Sequence, residues 1–303
     1  MTILVIGKNS QLGKEFIEVT RNNVQKFLFA DSTDLNLLNR KEISKFINLH
    51  KPNIVINFAA YTNVEGAEKE TDLCLKMNAE APLYLSEVTN EISSYLIHIS
   101  TDYVFGNENI GPYSNKDKTS PINYYGYTKL EGEKEIKLKT DKHLIIRTSS
   151  LISHYKGNFA HTILSKLINN DIISVIKNQY ITVTCADYLS HCIYKLCSLY
   201  KTKGSVGISS NNIIHYSNVG YTSWFSVADR IKQHLIKNEI ISNNNLVKPI
   251  NSIDWISEAK RPNDSRLLVD EKVFSFLNIE PLAWERNVDS IIDIYLSKYK
   301  KIK

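Results

Sequence analysis

Tyr125 and Lys129 stand four positions apart in the run Tyr125-Gly126-Tyr127-Thr128-Lys129. If this run opens a helix, both side chains leave one face with Cβ atoms about 6 Å apart. A phenol has a reference pKa of roughly 10, so it exchanges protons near neutrality only with help. An ammonium one turn away favours the phenolate and lowers that pKa, and the same lysine can hydrogen-bond a ribose. The chemistry open to the pair is proton transfer to or from an oxygen beside a nucleotide cofactor. Tyr-x-x-x-Lys also occurs often by chance as surface decoration, so its context has to carry it.

Two other segments supply context. Ser100-Thr101-Asp102-Tyr103-Val104-Phe105 directly follows the strand-like run Tyr95–Ile99, and open α/β sheets bind ligands just past the carboxyl ends of their strands. A hydroxyl at Thr101 could hydrogen-bond a carbonyl oxygen as it gains negative charge; Thr101 and Asp102 could equally cap the next turn. Gly7-Lys8-Asn9-Ser10-Gln11-Leu12-Gly13 lies between the first strand and first helix. There, free N–H groups and close backbone approach suit a pyrophosphate, although Ser10 stands where a three-glycine turn has its middle Gly. Asp31 follows 18 residues after Gly13. Its carboxylate could bind a ribose 2′-hydroxyl and repel a 2′-phosphate, or cap the turn before Ser32-Thr33-Asp34, which leaves NADH versus NADPH open.

The elements that must position these groups alternate through the first half. Strands are expected at Thr2–Ile6, Lys26–Ala30, Asn53–Asn57, Tyr95–Ile99 and Leu144–Arg147. Helices are expected at Gln11–Arg21, Arg40–His50, a long region around Cys74–Thr89, and Lys129–Leu138. This rhythm predicts an α/β fold, a Rossmann-type doubly wound parallel sheet. After about residue 150 it loosens: helices at Asn158–Leu167, Ala186–Tyr200 and Ser223–Ile236 are separated by longer polar connections such as Ser242-Asn243-Asn244-Asn245. Residues 1–150 are therefore expected to form the dinucleotide-binding domain, rejoined by about 178–204. Residues 151–303 are expected to form mainly a smaller C-terminal α+β substrate-binding lobe.

Composition narrows the class. With 37 basic and 32 acidic residues among 303 and 43% hydrophobic content, the chain reads as an ordinary globular protein with a mild basic excess. That excess suits an anionic small molecule. The basic tail Lys298–Lys303 reads as a solvated end, so neither nucleic acid nor membrane is expected as a partner. No apolar run approaches the roughly 20 residues that span a bilayer, and the first strand begins straight after Met1. Cys74, Cys185, Cys192 and Cys197 show no metal-ligand spacing, and Asp187, His191 and Cys192 sit in an apolar helical stretch. A cytoplasmic, metal-free protein is expected, and a homodimer is compatible with the sequence.

Longer segments resemble a known family. They are Asn57-Phe58-Ala59-Ala60-Tyr61-Thr62-Asn63-Val64-Glu65, the run from Ser100 to Phe105, and Thr119–Glu133 around Tyr125. Arg147-Thr148-Ser149, Gly157-Asn158-Phe159-Ala160, Thr222-Ser223-Trp224 and Arg261–Leu267 continue the pattern. The sequence resembles the extended short-chain dehydrogenase/reductases, and within them the dTDP-4-dehydrorhamnose reductase family. The resemblance implies reduction, with NADPH or NADH, of the C4 ketone of a nucleotide-linked 4-keto-6-deoxy sugar. In that family the step converts dTDP-4-dehydro-L-rhamnose to dTDP-L-rhamnose for cell-surface polysaccharide such as O-antigen. It implies Tyr125 as proton donor, Lys129 as its tuner and ribose ligand, and Thr101 as carbonyl polariser. Gly7, Gln11 and Leu12 would lie near the cofactor phosphates, with Ala59, Ala60 and Thr62 lining the cofactor. Asp102 and Asn158 match substrate-contacting positions, and Arg261 is a candidate for the nucleotide diphosphate.

Two departures from the family bear on the sugar. Ser150 replaces a tryptophan that contacts it, and Gln179-Tyr180-Ile181-Thr182-Val183-Thr184 replaces a Gln-x-Gly-x-Pro-Thr turn. A reductase for a different nucleotide-activated 4-ketohexose is therefore a second reading. A non-catalytic nucleotide-binding regulatory subunit is a third; such relatives usually lose the tyrosine or lysine, and both stand here.

Overall fold

The computed structural model describes residues 1–23, 25–106, 110–204, 206–208, 211–269 and 271–299. Apolar runs too short for helices become the strands of one sheet, those rich in Val, Ile and Leu being buried on both faces and the edge strand Lys26–Ala30 only partly buried. These are β1 (Thr2–Ile6), β2 (Lys26–Ala30), β3 (Ile54–Asn57), β4 (Tyr95–Thr101), β5 (His143–Thr148) and β6 (Ile213–His215). They lie in the order β6-β5-β4-β3-β1-β2, with every pairing parallel. The chain winds to one side of β1 to make β2 and then to the other to make β3. That reversal opens a crevice at the carboxyl ends of the central strands.

Alternate strand residues divide between two cores, as a pleat of period two requires. Ile3, Val5, Ile54, Ile56, Ile97 and Leu144 face one layer; Leu4, Ile6, Val55, Leu96 and Ile145 face the other. On the first face lie α1 (Gln11–Thr20) and the long helix Ala186–Lys203, which pack together. On the second lie α2 (Arg40–His50), α3 (Ala81–Glu91) and α4 (Tyr124–Lys139). Of the strand–helix unit expected around 178–204, the helix packs on α1. The strand Tyr180–Ile181 does not enter the sheet but pairs with Thr222–Ser223. The sheet's outermost strand is β6 instead, a three-residue segment that the sequence reading passed over.

The expected helical region Cys74–Thr89 is three pieces: Thr71–Leu75, a π-helical turn Lys76–Glu80, and α3. The wide turn aims Asn78 inward. Its amide accepts from Tyr61 N at 2.9 Å and donates to Tyr61 O at 3.0 Å and to Thr128 Oγ1 at 3.2 Å. One side chain thus ties the loop after β3 to α4. The remaining chain forms helices Phe159–Ile168, Trp224–Lys237 and Trp284–Tyr299 with short strand pairs between them. Among the described residues, no helix is long and apolar enough to cross a membrane.

Candidate active site

Thr101 is the last residue of β4, two residues further along the strand than the sequence pattern indicates. The first turn of α4 is pressed onto the turn that follows. A Cβ on Gly126 would lie 2.1 Å from Tyr103 O, so only glycine allows this approach. Asn123 caps the helix by accepting from Gly126 N at 2.8 Å. The consequence is that Tyr125 stands beside the end of β4, edge-on to Tyr103 with ring centroids 6.0 Å apart. Burial pushes its phenol above the ordinary range, while a hydrogen bond with the Thr101 hydroxyl draws it down.

Lys129 is 2% exposed. Its Nζ donates to Ile99 O at 2.7 Å and lies 3.2 Å from His98 Nε2. Burial lowers its pKa to about 8, against the opposing pull of Glu133 and Cys74. Helical spacing alone predicts that the ammonium depresses the phenol's pKa. In this geometry the lysine head group is directed at β4, and burial of the phenol, reinforced by the nearby Asp102, outweighs the hydrogen bond from Thr101.

A cavity of about 500 Å³ runs past these side chains. Its lining includes Ser10, Gln11 and Leu12 from the start of α1, Ala60 and Thr62 from the loop after β3, Thr101, Asp102, Tyr125 and Lys129, and Ser150, Asn158 and Arg261 from the C-terminal half of the chain. Gly7, Gly13 and Ala59 pack behind that wall. Gly7 has φ +90°, and a Cβ there would meet Ala59 N at 2.8 Å; one on Gly13 would meet Gly7 O at 2.3 Å. No side chain therefore separates this turn from the start of α1. Ser10, at the position of the missing glycine, caps α1 by accepting from Gly13 N at 3.0 Å. Asp31 lies just past β2, outside the cavity lining. Its carboxylate accepts from Asn9 Nδ2, Thr33 N and Thr33 Oγ1 and pairs with Lys8 at 3.2 Å.

On the other side Asp102 is buried, accepting from Ser149 Oγ at 2.7 Å and Thr101 Oγ1 at 3.1 Å. Burial raises its pKa to about 6, with hydrogen bonds from Ser265, Ser149 and Thr101 resisting the rise. Ser150 sits in the left-handed region at φ +43°. Asn158 lines the cavity, but its amide caps helix Phe159–Ile168 through His161 N and donates to Ser153 O and Tyr155 O. Arg261 is paired with Glu65 at 2.9 Å. The Glu65 carboxylate, on a short helix after β3, also accepts from Ser257 Oγ and from the N–H groups of Glu258 and Ala259. Burial opposes its ionisation, but these donors and Arg261 hold its pKa at about 2.

Sequence reasoning missed Phe58, Ser149, Leu151 and Trp224 in the cavity wall and His98 and Glu65 behind it. Phe58, Glu65, Ser149 and Trp224 lie within the family-like segments, which was the available signal. Nothing local marks His98, because its partner Lys129 is 31 residues away.

The family model described as the RmlD substrate binding domain matches residues 1–297. A dTDP-4-dehydrorhamnose reductase of Aggregatibacter actinomycetemcomitans is 30% identical, over 95% of this chain and 97% of its own length. One from Escherichia coli strain K12 is 29% identical over 97% of both. Among solved structures, a dTDP-4-dehydrorhamnose reductase from Clostridium acetobutylicum superposes with a TM-score of 0.85 at 30% identity, covering 97% of this chain and 99% of the other. One from Bacillus anthracis in complex with NADP gives a TM-score of 0.84 at 28% identity, covering 96% and 98%.

Proposed function

Because this chain belongs to the dTDP-4-dehydrorhamnose reductase family, we propose that it reduces the C4 ketone of dTDP-4-dehydro-L-rhamnose to give dTDP-L-rhamnose, using NADPH or NADH. The observation that supports this reading is the cavity whose wall holds Thr101, Tyr125 and Lys129 together with the first turn of α1 and Arg261. A dinucleotide fits the residues present. The glycine turn packs without side chains against Ala59, and the amino end of α1 offers N–H groups and a partial positive charge to a pyrophosphate. Gly7, Ser10, Gln11, Leu12 and Gly13 would hold it there, Ala59, Ala60 and Thr62 would flank it, Asp31 would meet a ribose, and Lys129 would hold the ribose nearest the reaction.

When bound, the nicotinamide supplies the hydride. The Thr101 hydroxyl, turning from Asp102, donates a hydrogen bond to the ketone oxygen as it becomes negative, and the Tyr125 hydroxyl delivers the proton that completes the alcohol. A phenol kept protonated by burial is in the right state to give that proton. Asp102 and Asn158 orient the sugar ring, and Arg261 binds the diphosphate. Residues 1–150 with helix Ala186–Lys203 form the cofactor side, and the rest of 151–303 mainly the substrate side. A second reading, another nucleotide-activated 4-ketohexose as substrate, is favoured by Ser150, a small hydroxyl held at φ +43° in the cavity wall.

The test is oxidation of NADPH or NADH by the purified protein with dTDP-4-dehydro-L-rhamnose, with identification of the sugar product. Tyr125→Phe is expected to lower kcat by about 10²–10⁴-fold. Undiminished turnover in that variant would remove the tyrosine from its role. Turnover only with another nucleotide ketosugar would move the assignment to the second reading.

A further inference from the structure

Behind the cavity wall, three buried polar side chains form a line whose hydrogen-bond directions can be worked out. Asn57 and His98 are neighbours in register on β3 and β4. Asn57 Oδ1 accepts from the backbone N–H of Ala59 at 3.0 Å. A backbone N–H can only donate, so the amide is fixed with its Nδ2 towards His98 Nδ1, 3.2 Å away. The Nδ1 of His98 must then accept, which places the proton of a neutral imidazole on Nε2. That Nε2–H faces Lys129 Nζ at 3.2 Å. An ammonium there would oppose donor to donor. An uncharged amine offers a lone pair to Nε2–H and still donates to Ile99 O at 2.7 Å.

The alternatives are worse. Moving the imidazole proton to Nδ1 sets it against the Asn57 amide, and a doubly protonated ring does the same while burying a second cation. Asn57, His98 and Lys129 are all at most 2% exposed, so water cannot relieve a mismatch cheaply. The other titratable groups facing the pair are Glu133 and Cys74 towards the lysine and His143 towards His98. Glu133 favours the ammonium, but its carboxylate is already bound by Arg147 at 2.6 and 2.9 Å and by Ser100 at 2.6 Å.

We propose that His98 is a positioning residue which, oriented by Asn57, favours the uncharged amine of Lys129 in the free enzyme, so that dinucleotide binding is coupled to uptake of one solvent proton at Lys129 Nζ. The coupling rests on the cofactor reading above. The ribose hydroxyl oxygens supply hydrogen-bond acceptors at Lys129 Nζ that an ammonium uses better than an amine, and the pyrophosphate adds a weaker attraction from further off. Lys129 then becomes charged beside Tyr125 only in the complex that needs it.

Two measurements test this. In the protein alone, the ¹³Cε resonance of isotopically labelled lysines is followed from pH 6 to 11, with Lys129→Met identifying the signal. Lys129 is expected to titrate at least one pH unit below the exposed lysines. Asn57→Asp accepts from both Ala59 N and His98 Nδ1, turns the Nε2 lone pair towards Lys129, and is expected to raise that midpoint. His98→Leu, which removes the opposing donor, is expected to raise it too. A Lys129 signal that titrates with the surface lysines would overturn the proposal whether or not either variant folds.

In the second measurement, NADPH or NADH binding at pH 9 is followed by calorimetry in buffers of different ionisation enthalpy. Uptake approaching one proton per site is expected for the wild type, and less for both variants. Binding without uptake overturns the coupling; absence of binding counts against the cofactor reading and leaves the lysine titration to decide the wiring.

Discussion

At Asp31, donors from three residues converge on one carboxylate: Asn9 at 2.7 Å, Thr33 through N–H and hydroxyl at 2.8 and 2.6 Å, and Lys8 at 3.2 Å. The hydrogen bonds from Thr33 and the Lys8 ammonium hold its pKa well below the usual carboxylate range, so it remains charged at working pH. Lys8 is shared with Asp34 at 2.6 Å and does not cancel both carboxylates. A 2′-phosphate brought here would meet net negative charge. Asp31→Ser is accordingly expected to shift the NADPH-to-NADH ratio of kcat/KM about tenfold towards NADPH; a ratio unchanged within experimental error would place the adenosine ribose elsewhere. Asp102 makes a pH prediction. Its proton is bound more tightly in the folded than the unfolded chain, so the native state carries the extra proton between roughly pH 4 and 6. Stability is therefore gained below that window and lost as pH rises through it, by about 2–3 kcal/mol for full ionisation. In urea unfolding at pH 4.5 and 7.5, Asp102→Asn should lack this part of the pH dependence, and identical slopes in both proteins would rule it out. At this scale residue types were legible, because Tyr125, Lys129 and Thr101 carry their chemistry in their names. Their protonation was not, because the burial around Tyr125 and the Asn9 and Lys8 donors that join Thr33 at Asp31 come from separate elements.

Elements place these groups through close backbone contact. The π-turn Lys76–Glu80 presents its Asn78 carbonyl to α4, where a Cβ on Gly132 would lie 2.1 Å away. Backbone on both sides leaves little room to yield, so Gly132→Ala is expected to cost about 2 kcal/mol or more. Thermal unfolding reads this as a lower Tm, and a variant as stable as the wild type would show that the contact relaxes freely. Glu133, one residue on, joins α4 to Ser100 on β4 and Arg147 on β5 in a wholly buried cluster. Apolar runs and helix periodicity made the first five strands and the helices α1, α2, Phe159–Ile168 and Trp224–Lys237 readable to within one or two residues, whereas α4 begins five residues before the expected Lys129 and Trp284–Tyr299 was not expected. The π-turn escaped because Lys76–Glu80 has an ordinary helical composition, and the partner it packs on, Gly132, comes more than 50 residues later. The three-residue β6 escaped because Ile213-Ile214-His215 is too short to show a period.

Across the whole molecule, Glu65 fastens the loop Ser257–Arg261 to the sheet side of the cavity through bonds spanning more than 190 residues of sequence. Asn123 Nδ2 adds a bond to Lys260 O at 2.8 Å, and Gln11 accepts from Ser153 Oγ at 2.9 Å. Glu65→Ala should leave the sheet intact while freeing that loop. Amide exchange at residues 257–261 is expected to quicken by about tenfold or more, with KM for the nucleotide sugar raised and kcat little changed. Exchange rates equal to the wild type would show that other contacts suffice to hold the loop. The family resemblance could name Arg261 as a phosphate ligand but gave no hint of its bond to Glu65, because a tie between residues so far apart in sequence leaves no local pattern. The outermost strand has a different consequence. β6 covers the rim of β5 by pairing Ile213, Ile214 and His215 with Ile145, Ile146 and Arg147. During synthesis on the ribosome, the first 150 residues emerge well before that cover exists. For the time needed to translate some 60 more residues, β5 offers open N–H and C=O groups flanked by isoleucine, a template for misassociation with other nascent chains.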